Sequence, residues 1–420
     1  MAYRTTSWKN TDIGKIPSDW DLNLFKNTFT KYPTNSFTRD EMNDFGGSFQ
    51  NIHYGDILTK YGAILDFNKY TVPYLNSFIS KTYKTVQNGD IIIADTAEDE
   101  TVGKCVEIYD LPQNIKVLSG MHTMFCRPTN YFYPRFLGYY MNSRVYHNQL
   151  LPYITGTKVS AVSKTDIDKT YILAPSIPEQ QKIADVLTDV DDLIAELERV
   201  RNKKIAIKTG VMQELLKPKE CWISKKLDEV CDNIFAGGTP STANEEFWKN
   251  GDIIWLPSGM VQDAVIKRQN ANDRITAKGL ANSSAKLIKA GTTILAMTGA
   301  TCGKVAYLPF EAAANQSVMA FETTKISSKF LFYLLLNNKD YVLQFQAGGA
   351  QAGINKTSCK NFEFSFPPTK LEQEKIAQIL SDMDDEISAI SDKINKYKQI
   401  KSGVAGELLS GRIRLVKPQE

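Results

Sequence analysis

The stretch of this 420-residue chain nearest to a catalytic signature is TGATCGKV, beginning at Thr298. Gly299 to Lys304 resembles a nucleotide phosphate loop, in which backbone N–H groups and a lysine hold phosphates. The spacing is one residue short, and Val305 stands where a Ser or Thr would hold magnesium. A strand followed by a tight turn is the better reading. FPPT, from Phe366, has the two prolines of adenine methyltransferase motifs. It lacks both the Asn or Asp before them and the aromatic after them, and no glycine-rich cofactor loop precedes it. The prolines are read as stopping a strand before a helix. The carboxylate pairs Asp191-Asp192 and Asp384-Asp385 fall in helical sequence. Neighbouring side chains on a helix point about 100° apart, so a solvated or partner-facing role is expected rather than chelation. The six cysteines (Cys105, Cys126, Cys221, Cys231, Cys302, Cys359) form no CxxC pair, and His53, His122 and His147 are dispersed, so no metal is expected.

What remains is chemistry suited to binding. The loop FAGGTPST, Phe235 to Thr242, offers hydroxyls and two glycines that allow close backbone approach. Such a loop can place N–H groups and hydroxyls on phosphates. Gly237, Gly238, Thr239 and Ser241 are therefore candidates, with Lys267, Arg268, Arg274, Lys286, Lys304 and Lys356 in the same half. The first half offers Lys31, Tyr32, Arg39, Lys60, Lys84, Lys104, Thr157 and Lys158. Lys and Ser/Thr commonly hold phosphates, while Arg and Lys also read base edges. Any one of these residues alone reads as solvated surface; the argument rests on the ensemble. Net charge is only +3, so a basic face would have to be local.

These residues must be positioned by a scaffold, and the scaffold announces itself as a repeat. EQQKIADVLTDVDDLIAELERVRNKKIAIKTGVMQELL, from Glu179, aligns without a gap on EQEKIAQILSDMDDEISAISDKINKYKQIKSGVAGELL, from Glu372. Roughly half of the aligned positions are identical. Apolar residues recur in steps of four and three: Ile376, Leu380, Met383, Ile387, Ile390, Ile394 and Tyr397 in the second copy; Ile183, Leu187, Val190, Ile194 and Leu197 in the first. That is a coiled-coil seam. The first copy then places Arg201, Lys204 and Lys208 at seam positions. A helix of this length is roughly 57 Å long, whereas a linker of about five residues after Leu216 reaches at most ~18 Å. The second helix can therefore pack along the first only by running back, which predicts an antiparallel pair.

The remaining sequence repeats too. NGDIIIAD at Asn88 echoes AGTTILAM at Ala290, Gly103-Lys104 echoes Gly303-Lys304, and PRFLGYY at Pro134 echoes SKFLFYL at Ser328. Short strand-like runs, including DILTKYG at Asp56, precede a helix expected to start at Pro134. The expected class is α+β: two globular domains separated by a pair of long antiparallel coiled-coil helices, with a pseudo-two-fold repeat. The segments are 1–14, 15–174 (domain), 175–216 (helix), 217–366 (domain), 367–409 (helix) and 410–420 (a tail closing toward the first domain). Composition is globular, with 42% hydrophobic and 23% charged residues. The polar N-terminus suggests no signal peptide, the free thiols suit a cytoplasmic setting, and no membrane span is expected.

IPSDW near the N-terminus, GGTPS at Gly237, PEQQKIADVL at Pro178, LEQEKIAQIL at Leu371, and the repeat ends TGVMQELL and SGVAGELLSGRIRL together resemble the specificity subunits of type I restriction–modification systems. The resemblance covers essentially the full length, although the first domain has no GGTPS counterpart. It implies two target-recognition domains, each reading half of a split double-stranded DNA sequence. It also implies paired helices that dock two modification subunits, which bind S-adenosylmethionine and methylate adenine, and motor–restriction subunits that cut unmodified DNA. This chain would then be non-catalytic and hold no cofactor. A coiled-coil protein scaffold without DNA specificity, or a methyltransferase in its own right, are the alternatives.

Overall fold

A computed structural model describes residues 2–76, 83–156, 158–347 and 353–417. The chain divides into two compact units, Met1–Leu197 with Lys393–Glu420, and Glu198–Asp392. Each repeat helix contributes one part to each unit.

The first unit is built on a five-stranded sheet: β1 (Phe29–Tyr32), β2 (Ile64–Asp66), β3 (Ile91–Ala94), β4 (Cys105–Tyr109) and β5 (Thr123–Pro128), in the order β1-β5-β3-β4-β2. All neighbours are antiparallel except β4 and β2. Side chains on a strand alternate between faces. Ile91 and Ile93 pack with Phe136, Tyr140 and Tyr146 on one side. Ile92 packs with Ile52, Ile57 and Val117 on the other. Because both faces are covered, β3 reads as a continuous apolar run. A second sheet pairs Val117–Ser119 in parallel with Gln50–Ile52.

The second unit repeats this plan: β6 (Asn233–Ala236), β7 (Ala264–Val265), β8 (Thr292–Ala296), β9 (Val305–Leu308) and β10 (Val318–Glu322), in the order β6-β10-β8-β9-β7. The last pair is again parallel. Its second sheet pairs Trp255 and Leu256 in parallel with Ala313 and Ala314. The Gly-Lys echo is explained by the turns entering β4 and β9. Gly103 and Gly303 have φ of 87° and 80°, and a Cβ there would lie 2.5 Å from Leu150 and Leu343 respectively.

Two expectations are corrected. DILTKYG lies not in a strand but in and just after a short helix, Tyr54–Thr59. His53 caps it by accepting from Gly55 N at 3.1 Å, and Ile57 and Tyr61, one helical turn apart, are both buried. The helix placed at Pro134 begins at Phe136 and is broken in two, Phe136–Met141 and Arg144–Leu150. Arg135 is left-handed, with φ 75°. At the break Asn142 hydrogen-bonds the backbone of Cys105 through both side-chain atoms, and Ser143 caps the second piece. The turn at Gly299–Thr301 runs into β9, as the strand-and-turn reading of TGATCGKV requires.

The repeat helices span Ile177–Leu215 and Lys370–Leu409. Within the first unit Leu408 packs with Ile183 and Leu187, and Lys401 pairs with Asp191 at 2.6 Å. Within the second, Lys204 pairs with Glu386 at 2.6 Å and Lys208 pairs with Asp384. Rising numbers on one helix meet falling numbers on the other, so the helices are antiparallel. Ile183, Leu187, Ile194, Ile376, Leu380 and Ile394 are buried; Val190, Leu197, Met383, Ile387, Ile390 and Tyr397 are half-buried. Lys204 and Lys208 are accommodated in the seam because each finds a carboxylate on the opposite helix.

The carboxylate pairs are corrected at one member each, while Asp192 and Asp385 are exposed as expected. Asp191 accepts from Tyr139 Oη at 3.0 Å and faces Lys401; Asp384 accepts from Tyr333 Oη at 2.8 Å and faces Lys208. Each is a Tyr–Asp–Lys set joining a domain helix to both repeat helices. Burial and the adjacent carboxylate push both tyrosines well above their ordinary pKa. The tail closes on the N-terminal segment, with Tyr3 and Arg4 pairing with Arg414 and Ile413.

Glu107, on β4, is buried and accepts from the backbone N–H groups of Arg135 (2.5 Å) and Gly138 (2.8 Å). Burial pushes its pKa up to about 7. A carboxyl whose folded pKa is raised stabilises the fold below its unfolded pKa, and that contribution is lost as pH rises through the folded value. From pH ~4.5 to ~7.5 this group should withdraw about 3 kcal/mol. Glu107→Gln is expected to flatten that part of the stability profile, measured as the difference between parent and variant denaturation midpoints across this range. Parallel profiles would show that Glu107 is ionised throughout.

Candidate nucleic-acid interface

The GGTPS loop follows β6. Gly237 N donates to Val318 O at 3.0 Å, and Gly238 N donates to Ala314 O at 2.8 Å. A Cβ on Gly237 would lie 2.2 Å from Ala314 O, and one on Gly238 would lie 2.4 Å from the Ser284 backbone. The close approach these glycines allow is therefore to their own domain, and their N–H groups are already used. Two indoles hold the loop: Trp255 Nε1 donates to Gly238 O at 3.0 Å, and Trp248 Nε1 to Ser241 O at 3.1 Å. Ser241 is exposed, and the Thr239 hydroxyl donates to Gln316 Oε1. The loop thus presents hydroxyls from a fixed backbone. The sequence does not single out the tryptophans and Gln316, because nothing local in it couples them to the loop.

The basic candidates separate into two groups. Several are committed to their own chain. Lys31 pairs with Asp168 at 2.5 Å, and Arg39 with Asp56 at 2.7 Å. Lys60 donates to Thr71 O and Lys104 to Leu58 O, at 2.7 and 2.8 Å. Burial lowers the pKa of Lys104. Lys267 reaches the second repeat helix at Ser388, 3.0 Å away. Arg274 donates to the carbonyls of Ala271 and Asp273, and Lys304 to Gln262. Each of these residues has a partner within its own unit.

The others rest on aromatic rings or stand exposed. Lys84 lies over the Tyr32 ring at 5.7 Å and Lys286 over the Phe235 ring at 5.5 Å. Arg268 lies over Phe310 at 6.0 Å. Lys158 and Lys356 are exposed, while Thr157 lies outside the described residues. Tyr32 also carries Arg127 at 5.2 Å, whose guanidinium is held by Asp90 through two bonds of 2.7 Å. Burial raises the Asp90 pKa in spite of that partner. Among the described residues no group of three or more His, Cys, Asp or Glu side chains is placed to hold a metal, and no helix is long and apolar enough to cross a membrane.

The hydrogen-bonded GGTPS loop of the second unit, lysines set on aromatic rings in both units, and one sheet order in both are the features on which the comparisons bear. The model of the type I restriction modification DNA specificity domain matches the chain twice, over residues 11–207 and 219–399. The chain belongs to that family. It is similar to a Methanocaldococcus jannaschii protein assigned as the MjaX type I restriction enzyme specificity subunit, 24% identical over 98% of both chains. The EcoR124I/EcoR124II specificity subunit of Escherichia coli is 28% identical over 57% of this chain and 61% of its own length. Among solved structures, the S subunit of a type I system from M. genitalium matches 93% of this chain and 96% of its own with a TM-score of 0.57 at 12% identity. A structure described in work on the assembly and conformational transition of the type I system reaches 0.59 at 16% identity, over 94% and 98%. The chain is a type I specificity subunit with two recognition domains, and subunits of this kind are non-catalytic.

Proposed function

We propose that each unit reads one half of a split double-stranded DNA sequence, and that the chain directs adenine methylation and cleavage carried out by partner subunits. The observation that carries this is the double match to a DNA specificity domain on two copies of one sheet plan whose loops differ. Divergent loops on a common scaffold are how two sites acquire different specificities. The repeat helices carry exposed apolar residues, Leu193, Ile205, Ile207 and Ile379 among them. Those residues suit the docking of two modification subunits, on which S-adenosylmethionine would bind; motor–restriction subunits complete the complex. The working place of such an assembly is the cytoplasm.

The purified chain with S-adenosylmethionine is expected to transfer no methyl group to DNA. Adding the modification subunit is expected to start sequence-dependent transfer. Methylation by the chain alone would overturn the division of labour.

A further inference from the structure

The first domain lacks a GGTPS motif, yet strand pairing supplies its counterpart. In the second unit Phe235 lies opposite Ala320, and Ala320 opposite Ile294. In the first, Tyr32 lies opposite Phe125, and Phe125 opposite Ile92. Ile294 and Ile92 hold the same place, facing Ala306 and Val106 on the next strand. Tyr32 and Phe235 are therefore equivalent. Three residues on, Asn35 N donates to Ser119 O at 3.1 Å and Gly238 N to Ala314 O at 2.8 Å. Ser119 and Ala314 are the last residues of matching second-sheet strands. Asn35 thus stands where Gly238 does, and Ser36 and Thr38 stand where Thr239 and Ser241 do.

The motif is absent because the support is exchanged. Asn51 holds the position of Trp255. Asn35 Nδ2 donates to Asn51 Oδ1 at 2.8 Å, whereas Trp255 donates to the Gly238 carbonyl. An Asn–Asn pair in one domain replaces a Gly–Trp pair in the other.

The lysines follow the same register. Lys84 and Lys286 stand at the same step before Gly89 and Gly291, the left-handed turns (φ 86° and 82°) that enter β3 and β8. Each reaches across to the equivalent ring, Tyr32 or Phe235. Both are exposed; neither forms an ion pair with a carboxylate among the described residues, and Asp90, on which Lys84 acts electrostatically, is already held by Arg127. A ring attracts an ammonium without neutralising it, so the cation is positioned and still available. A lysine is a compact point charge suited to a phosphate.

On the DNA-reading function proposed above, we infer that Tyr32–Thr38 is the DNA-contacting loop of the first domain, and that Lys84 on Tyr32 and Lys286 on Phe235 each hold one backbone phosphate of their own half-site.

The test uses the full chain with its modification subunit and a duplex carrying its target. Neutralising a lysine that holds one phosphate should reduce the slope of log affinity against log salt by about 0.9. Lys84→Met and Lys286→Met are each expected to reduce it by about 1, and the double variant by about 2, with the recognised bases unchanged. Replacing single phosphates by neutral methylphosphonate should weaken parent binding at one phosphate in each half-site. Lys84→Met should be insensitive to that replacement in one half only, and Lys286→Met in the other only. Parent-like slopes in variants whose thermal melts match the parent would overturn the inference, as would a change in the bases read. If the parent itself shows no salt-dependent, sequence-specific binding, the DNA-reading function fails together with the inference.

Discussion

Arg414→Met is expected to destabilise the first unit by about 3–5 kcal/mol, because it would strand a buried carboxylate. Arg414 and Glu179 expose 2% and 0% of their side chains and meet through two bonds of 2.5 and 2.6 Å. The same guanidinium donates to both oxygens of Asp19, at 2.9 and 2.8 Å, and holds that carboxyl below its usual pKa. Glu179 also accepts from Trp20 Nε1 at 3.1 Å. One arginine thus ties the tail, the N-terminal segment and the start of the first repeat helix. Removing it leaves Glu179 without a countercharge, whereas Glu179→Met with Arg414→Met removes both ends of the buried pair. The double variant should therefore be more stable than Arg414→Met alone. Chemical denaturation of the three proteins checks this. A loss below about 1 kcal/mol in the single variant would show that water replaces the arginine.

Exchanging residues 217–366 for the matching segment of a relative should replace one half of the recognised sequence and leave the other half intact. The domain's core reaches into the helices, because Leu216, Ile376, Ala377 and Leu380 pack with Phe330, Leu334 and Phe364. A donor whose residues facing those positions are apolar is therefore required. Each mismatched base pair costs about 1–3 kcal/mol, so a changed half-site of several bases should lower methylation of the parental site by orders of magnitude. The hybrid site, joining the parental first half to the donor's half, should be methylated at parental levels. Loss of both halves would show that the domains do not read independently.

The helices, their seam and their antiparallel direction were legible because periodicity and linker length are local physics. The strands at Ile91 and Thr292 were legible for the same reason. The helix at Tyr54 was not, because a single turn of helix and a short strand bury similar apolar pairs. The break at Asn142 depends on Cys105, distant in sequence. The candidate site was legible as a composition and not as a geometry. Lys31, Arg39 and Lys267 find partners on elements remote in the chain, and no local pattern separates them from Lys84 and Lys286. The loop of the first domain was hidden because Asn35 with Asn51 does the work of Gly238 with Trp255, so the fold matches where the letters do not.

The most direct measurement is a map of methylated adenines in DNA from cells expressing this chain with its modification subunit, beside cells expressing the modification subunit alone. The account predicts methylation only when the chain is present, at two short specified segments separated by an unspecified gap of constant length. Methylation independent of the chain, or at a single contiguous sequence, would contradict it.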